Sequence, residues 1–255
     1  LALHLYANVN AQDIDWESNT SPSYSELINF YKKCAKDNKS IELYNMGNSD
    51  AGIPIYLCIY NGAGDSLQTF KKARRSTTLL VNNAIHAGEP DGVNASAVWL
   101  LDLIQQKPNA NDPLIAIIPA YNVGGMLNRN SNSRANQEGP EFYGFRGSAR
   151  NYDLNRDFIK MDAQNTFTFA TIFHALDPDV FVDTHVSNGA DYTYTLTYIA
   201  SMKERMAPSI KELTYDVLLP ELNRKVPIFP YVELKGRTPE EGIVAFNDLP
   251  RYAMG

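Results

Sequence analysis

His86-Ala87-Gly88-Glu89 sets an imidazole and a carboxylate three residues apart, and Asp183-Thr184-His185 supplies a second imidazole 96 residues after that glutamate. Two imidazoles and one carboxylate are the donor set of a catalytic zinc, which takes three protein ligands and keeps a fourth position for water. His86, Glu89 and His185 are therefore the expected metal ligands. Between them lies Asp153-Leu154-Asn155-Arg156, a polar and cationic cluster in an otherwise aperiodic stretch. Zinc with a fixed guanidinium beside it points to hydrolysis of an amide in a substrate recognised by its carboxylate. Each motif alone has a plainer explanation: His-x-x-Glu as a loop histidine beside a helix-capping carboxylate, and His185 as a satisfied strand end. Their combination is what carries the expectation.

The flanking elements explain how such distant groups could meet. Thr77 to Val81 is a continuous apolar run, the mark of a strand covered on both faces, and it leads straight to His86. Val180 to Asp183 reads as a strand that ends at His185, and Leu114 to Ile118 as a third buried strand. Ser40 to Met46 and Pro54 to Tyr60 are two more, separated by a turn-rich Gly47 to Gly52, and Tyr192 to Ile199 alternates with period two. Helical patterns cover Ser21 to Asn38, Val93 to Gln106, Asp162 to Ala175 and Arg205 to Asn223. This alternation predicts an α/β fold, an open, mixed and mostly parallel twisted sheet with helices on both faces. A single domain is expected over 1–255. In such sheets ligands gather beyond the carboxyl ends of the strands, where both His86 and His185 would arrive. The long aperiodic stretch from Ala120 to Asp157 then reads as a functional loop.

Composition removes other classes. With 255 residues and a net charge of −6, the chain has no broad basic stripe, so nucleic acid is not an expected partner. Lys71-Lys72-Ala73-Arg74-Arg75 is the one dense positive run and reads as a solvated loop. No apolar window is long enough for a membrane helix. Cys34 and Cys58 are the only cysteines, open to one disulfide or two buried thiols. His4, His174, Trp16 and Trp99 read as structural, and Asn188 to Asp191 as a loop flanking the cleft.

Together, His86 to Glu89, the segment Arg146 to Phe158 and Asp183 to His185 resemble the zinc carboxypeptidase family, and its bacterial branch in particular. The resemblance runs from about Ser21 onward. It implies one zinc ion held by His86, Glu89 and His185, and a peptide substrate with a free C-terminal carboxylate. It further implies that Asn155 and Arg156 hold that carboxylate and that Asp153 orients a ligating imidazole. Arg146 best matches the arginine that stabilises the oxyanion, with Arg129, Arg134 and Arg150 as competitors. A secreted or periplasmic location is implied at the family level. A deacylase of small N-acyl amino acids and a catalytically inactive peptide-binding relative are the alternatives. The family's general base is a glutamate on a late strand. The 70 residues after His185 offer no convincing strand-borne glutamate, and Glu233, Glu240 and Glu241 fall in a segment that reads as loop. A chain lacking its last strands is therefore expected.

Overall fold

Apolar runs without polar interruption become central strands here because both faces are covered. In β2 (Pro54–Tyr60), Ile55, Leu57 and Ile59 enter one core while Cys58 and Tyr60 enter the other. β4 (Leu114–Ile118) divides likewise, Leu114, Ala116 and Ile118 against Ile115 and Ile117. With β1 (Ile41–Asn48), β3 (Thr78–Asn82) and β5 (Val180–Asp183) they form a five-stranded sheet in the order β1-β2-β4-β3-β5. β3 pairs in parallel with β4 and β5, and β2 runs antiparallel to both β1 and β4. Four of the five strands thus point the same way, with β2 reversed. The sheet is mixed and mostly parallel, as expected.

A computed structural model describes residues 14, 18–106, 108–109, 111–135, 137–187, 194, 196–234 and 243–245. The chain divides into two compact units, Leu1–Gly189 and Ala190–Gly255. His4, Trp16, Asn188, Gly189, Ala190, Asp191, Tyr192, Glu240 and Glu241 lie outside the described residues.

Helices cover both faces of the first unit's sheet. α1 (Tyr24–Asp37) and α3 (Asp91–Gln105) bring Leu27, Tyr31, Cys34, Val93, Ala97 and Leu100 against Val81, Ile115 and Ile117. On the other face, α2 (Ser66–Ala73) and α5 (Gln164–Leu176) bring Ala73, Phe169, Ile172 and Leu176 against Leu57, Leu80 and Ala116. Ser23 starts α1 with a reciprocal cap, its hydroxyl accepting from the Glu26 amide while the Glu26 carboxylate accepts from the Ser23 amide at 2.7 Å. Cys34 and Cys58 are free thiols in the core, and burial pushes the Cys34 thiol up to about 12. Trp99 packs, partly buried, against the same cluster, and His174 is exposed on α5.

Several local readings change. Lys71 and Lys72 lie in the last turn of α2 rather than in a loop, and Lys72 Nζ donates to the Asn61 carbonyl at 2.7 Å. A helix of only two turns, capped by Asp65, is too short to display a periodic stripe. Within the aperiodic stretch, Asn122 caps a one-turn α4 (Val123–Leu127) through its side chain. In the second unit, helix begins at Pro208 rather than Arg205, as α6 (Pro208–Glu212), a π-helical turn over Leu213–Leu218 and α7 (Leu219–Lys225). Proline fits a first turn, where its missing N–H is no loss. β6 (Leu196–Tyr198) pairs in parallel with β7 (Ile228–Pro230), and β8 (Val232–Leu234) is antiparallel to β9 (Ile243–Ala245). Glu233 is therefore on a strand, opposite Val244, and not in a loop. A strand of three residues is too short to show a period-two pattern. Among the described residues no helix is long and apolar enough to cross a membrane.

Leu80 is fully buried in β3, whereas Leu67 on α2 is exposed. Urea denaturation should therefore show Leu80→Ala losing about 2–5 kcal/mol and Leu67→Ala staying within about 0.5 kcal/mol of the parent.

Candidate metal centre

The site is built at the carboxyl ends of β3 and β5, whose parallel register sets Asn82 beside Asp183. Beyond Asn82 the chain turns sharply. Ala84 adopts φ 58°, a left-handed conformation that L-residues take at a cost. Three backbone bonds hold this turn, Asn83 N–H to the Ile118 carbonyl at 3.1 Å, Tyr121 N–H to the Asn83 carbonyl at 2.9 Å and Asn122 N–H to the Ala84 carbonyl at 3.1 Å. His86 follows, and the Glu89 amide donates to the His86 carbonyl at 3.0 Å, folding Glu89 back beside the imidazole. Glycine is required at 88 because a Cβ there would lie 2.7 Å from the Gly144 carbonyl oxygen and 2.9 Å from Arg134 Cδ. Gln137 Nε2 donates to the Gly88 carbonyl at 2.9 Å, tying the loop to the long aperiodic stretch.

His86, Glu89 and His185 meet, each offering one donor atom within 4.8 Å of the others. His86 Nδ1 lies 3.1 Å from Glu89 Oε1, and His185 Nδ1 lies 3.1 Å from Oε2 of the same carboxylate. Behind each ring stands a second carboxylate. Asp153 Oδ1 is 3.1 Å from His86 Nε2, and Asp183 Oδ2 is 2.7 Å from His185 Nε2. A carboxylate only accepts, so with each Nε2 donating to its aspartate, each Nδ1 of a neutral ring is left to present a lone pair. Arg146 Nη1, which only donates, lies 3.3 Å from His86 Nδ1 and agrees with that tautomer. Two nitrogen lone pairs then face the two oxygens of one buried carboxylate. That arrangement is repulsive unless a cation or protons sit among them, so the residues fit a metal ion. With neutral imidazoles, Glu89, Asp153 and Asp183 outnumber Arg134 and Arg146 by one negative charge, which also favours a cation.

Burial by itself would raise the Glu89 pKa. Hydrogen bonds from His185 and His86, and the charges of His86 and Arg134, instead hold it well below the usual carboxylate range. Asp153 is likewise held low against its burial, by hydrogen bonds from His86 and Arg146. For His185, burial works against protonation, but hydrogen bonds to Asp183 and Glu89 outweigh it and push the imidazole up to about 9. Without a metal, a proton takes the cation's place.

The four arginines considered for the oxyanion separate cleanly. Arg129 is consumed by the carbonyls of Ser21, Pro22 and Phe142, and Arg150 lies over the Tyr152 ring. Arg134 and Arg146 reach the centre. Arg134 is nearly buried and donates to Glu89 Oε1 at 2.9 Å. Arg146 grips Asp153 Oδ2 through Nε at 3.2 Å and Nη2 at 2.9 Å, and is 41% exposed. Asp153 caps a single 3₁₀ turn, Leu154–Arg156, by accepting from the Asn155 amide at 3.0 Å. Asn155 is half-buried on that turn; Arg156 is exposed, and its guanidinium donates to the Asn155 carbonyl at 2.9 Å. Neither side chain hydrogen-bonds to the triad. Asp183 was visible in the sequence only as the start of Asp-Thr-His; strand alternation, which sends residues two apart to the same side, is the signal that pairs it with His185.

No family model matches the chain. A curated relative, carboxypeptidase 2 from Trichophyton rubrum, is 23% identical over 175 residues, covering 66% of this chain and 29% of that protein. Among solved structures, a metallo-carboxypeptidase from Pseudomonas aeruginosa, crystallised with (2-guanidinoethylmercapto)succinic acid, matches with a TM-score of 0.60 at 16% identity. That match covers 86% of this chain and 52% of the other. Carboxypeptidase A from Helicoverpa armigera matches with a TM-score of 0.54 at 13% identity, over 86% of this chain and 56% of that one. The fold is that of the metallo-carboxypeptidases. The chain spans about half the length of these solved structures and under a third of the curated relative.

The raised His185 pKa has a thermodynamic consequence. Its protonated partnership stabilises the metal-free fold fully below its ordinary 6.5 and is lost as pH rises through about 9. Denaturation of the metal-free protein should therefore show stability falling between those pH values, and His185→Gln should flatten the fall. An unchanged slope in the variant would contradict the assignment.

Proposed function

We propose that this chain carries the catalytic centre of a zinc-dependent metallocarboxypeptidase, hydrolysing the C-terminal amide bond of peptides. The observation that carries this reading is the meeting of His86 Nδ1, Glu89 and His185 Nδ1 at one rim of the sheet. Two imidazole nitrogens and one carboxylate suit zinc better than magnesium or calcium, which prefer oxygen donors. Bound there, zinc would supply a Lewis acid and an acidified water. On this reading both compact units belong to one catalytic domain. A secreted or periplasmic location goes with it and rests on family likeness alone.

The protein's own groups take the remaining roles. Arg146, 41% exposed beside His86, is assigned to the negative charge that develops on the substrate carbonyl oxygen, because Arg134 is only 10% exposed and pairs with Glu89 itself. Asp153 fixes the His86 ring and, through Nε2–H, its tautomer. Asn155 and the exposed Arg156 are assigned to the terminal carboxylate, which a planar guanidinium grips through two hydrogen bonds. The ligand of the Pseudomonas aeruginosa neighbour, a succinic acid with two carboxylates, supports recognition of anionic ligands by this fold.

Metal analysis should find about one zinc per chain in the parent, as a three-ligand site requires, and far less in His86→Ala. Equal zinc in the two would remove His86 from the ligand set. On peptides ending in a free acid, Arg156→Ala should raise KM about 10- to 100-fold with a smaller change in kcat. Cleavage of amidated peptides as fast as free acids would defeat the carboxypeptidase reading.

A further inference from the structure

Behind His185 runs a hydrogen-bond chain that goes deeper than its carboxylate. Asp183 holds His185 Nε2 with Oδ2, while its other oxygen accepts from Asn82 Nδ2 at 2.8 Å. Asn82 is fully buried at the last position of β3, where the parallel register sets it beside Asp183. Because a carboxylate only accepts, the Asn82 amide must turn its NH₂ toward Asp183. Its own Oδ1 is left buried with no hydrogen-bond partner. Such orphaned acceptors are unfavourable and uncommon, so this strand end accepts a loss in order to keep a donor aimed at Asp183. The backbone is pinned at the same point, the Thr184 amide donating to the Asn82 carbonyl at 3.1 Å.

The two imidazoles differ in how much else holds them. His86 is buried, and its partner Asp153 is clamped by two Arg146 nitrogens and by the Asn155 amide. His185 sits on no regular element, and its side chain is about a third exposed. Among the described residues its ring is hydrogen-bonded by Glu89 in front and Asp183 behind, with the His86 ring edge-on at 5.1 Å. The rotamer of Asp183 therefore decides where the ring points.

We propose that Asn82 is a positioning residue for the metal: it fixes the Asp183 carboxylate, which keeps His185 in the Nε2–H tautomer with Nδ1 directed between His86 and Glu89. This rests on reading those three residues as metal ligands. Asn82 touches no ligand itself and acts through Asp183 alone. A neighbouring pair supplies the control. Ser96 on α3 exchanges hydrogen bonds with buried Asn83 at 2.9 and 3.2 Å and makes none to Asp183, while Asn83 Oδ1 also accepts from the Thr184 hydroxyl at 2.9 Å.

The test measures Zn²⁺ affinity by chelator competition, the visible absorption of the Co²⁺ form, and the unfolding midpoint of the metal-free protein. Asn82→Leu, of similar branched shape, should weaken Zn²⁺ binding about 10- to 100-fold and shift the Co²⁺ bands. Ser96→Ala should lower the unfolding midpoint and leave affinity and spectrum as in the parent. Asn82→Ser serves if the leucine variant does not fold, and should weaken Zn²⁺ in the same direction. Parental affinity and spectrum in the Asn82 variants would overturn the relay while leaving the metal centre standing, as would an equal loss of affinity in Ser96→Ala. A parent that binds neither ion would overturn the metal centre and the relay together.

Discussion

Parallel pairing of β3 with β5 is the constraint on which the rest of the centre depends. It sets Asn82 opposite Asp183, so two segments far apart in sequence end at the same rim pointing the same way. One imidazole then follows each strand end. A slip of one residue would send every side chain of β5 to the opposite face, turning Asp183 away from Asn82 and His185 away from Glu89. On β3, Leu80 enters one core and Val81 the other, and on β5 the Phe181 ring meets Phe169 and Phe173 of α5. Core packing and site geometry are thus the same requirement seen at two ends of one strand.

Glu89 is the second centre of gravity. Its nearly buried carboxylate lies against His86, Arg134, His185 and the Val186 amide, partners drawn from three separate stretches of the chain. A buried charge missing such partners is strongly unfavourable, so this loop conformation is viable only after all three stretches have assembled. The strained Ala84 and the glycine at 88 are part of the same compromise. A tight turn and a close backbone approach are accepted where they aim side chains.

Much of this was legible residue by residue. Thr77 to Val81 and Leu114 to Ile118 announce two-sided burial because polar residues are missing from them, and β3 and β4 are such strands. The capped start expected at Ser21-Pro22 lies two residues on, at Ser23, where the reciprocal bonds with Glu26 form the cap. α2 escaped because two turns are too few for a periodic signal, and β8 because three residues are too few for an alternating one. The arginines show the limit most clearly. Arg129, Arg134, Arg146 and Arg150 have equal chemistry and similar neighbours, and only the path of the aperiodic stretch separates two at the centre from two committed elsewhere.

The sequence by itself determined which donor types are present, that β3 and β4 are buried on both faces, and that each histidine follows a strand. These are short-range properties, written in composition and in alternation over a few residues. Tertiary structure decided which carboxylate backs which imidazole, which guanidinium remains half-exposed beside His86, and that Asn82 stands behind Asp183. Those choices depend on strand register and loop path, which are set by the packing of residues about a hundred positions apart, as Asn82 and Asp183 are.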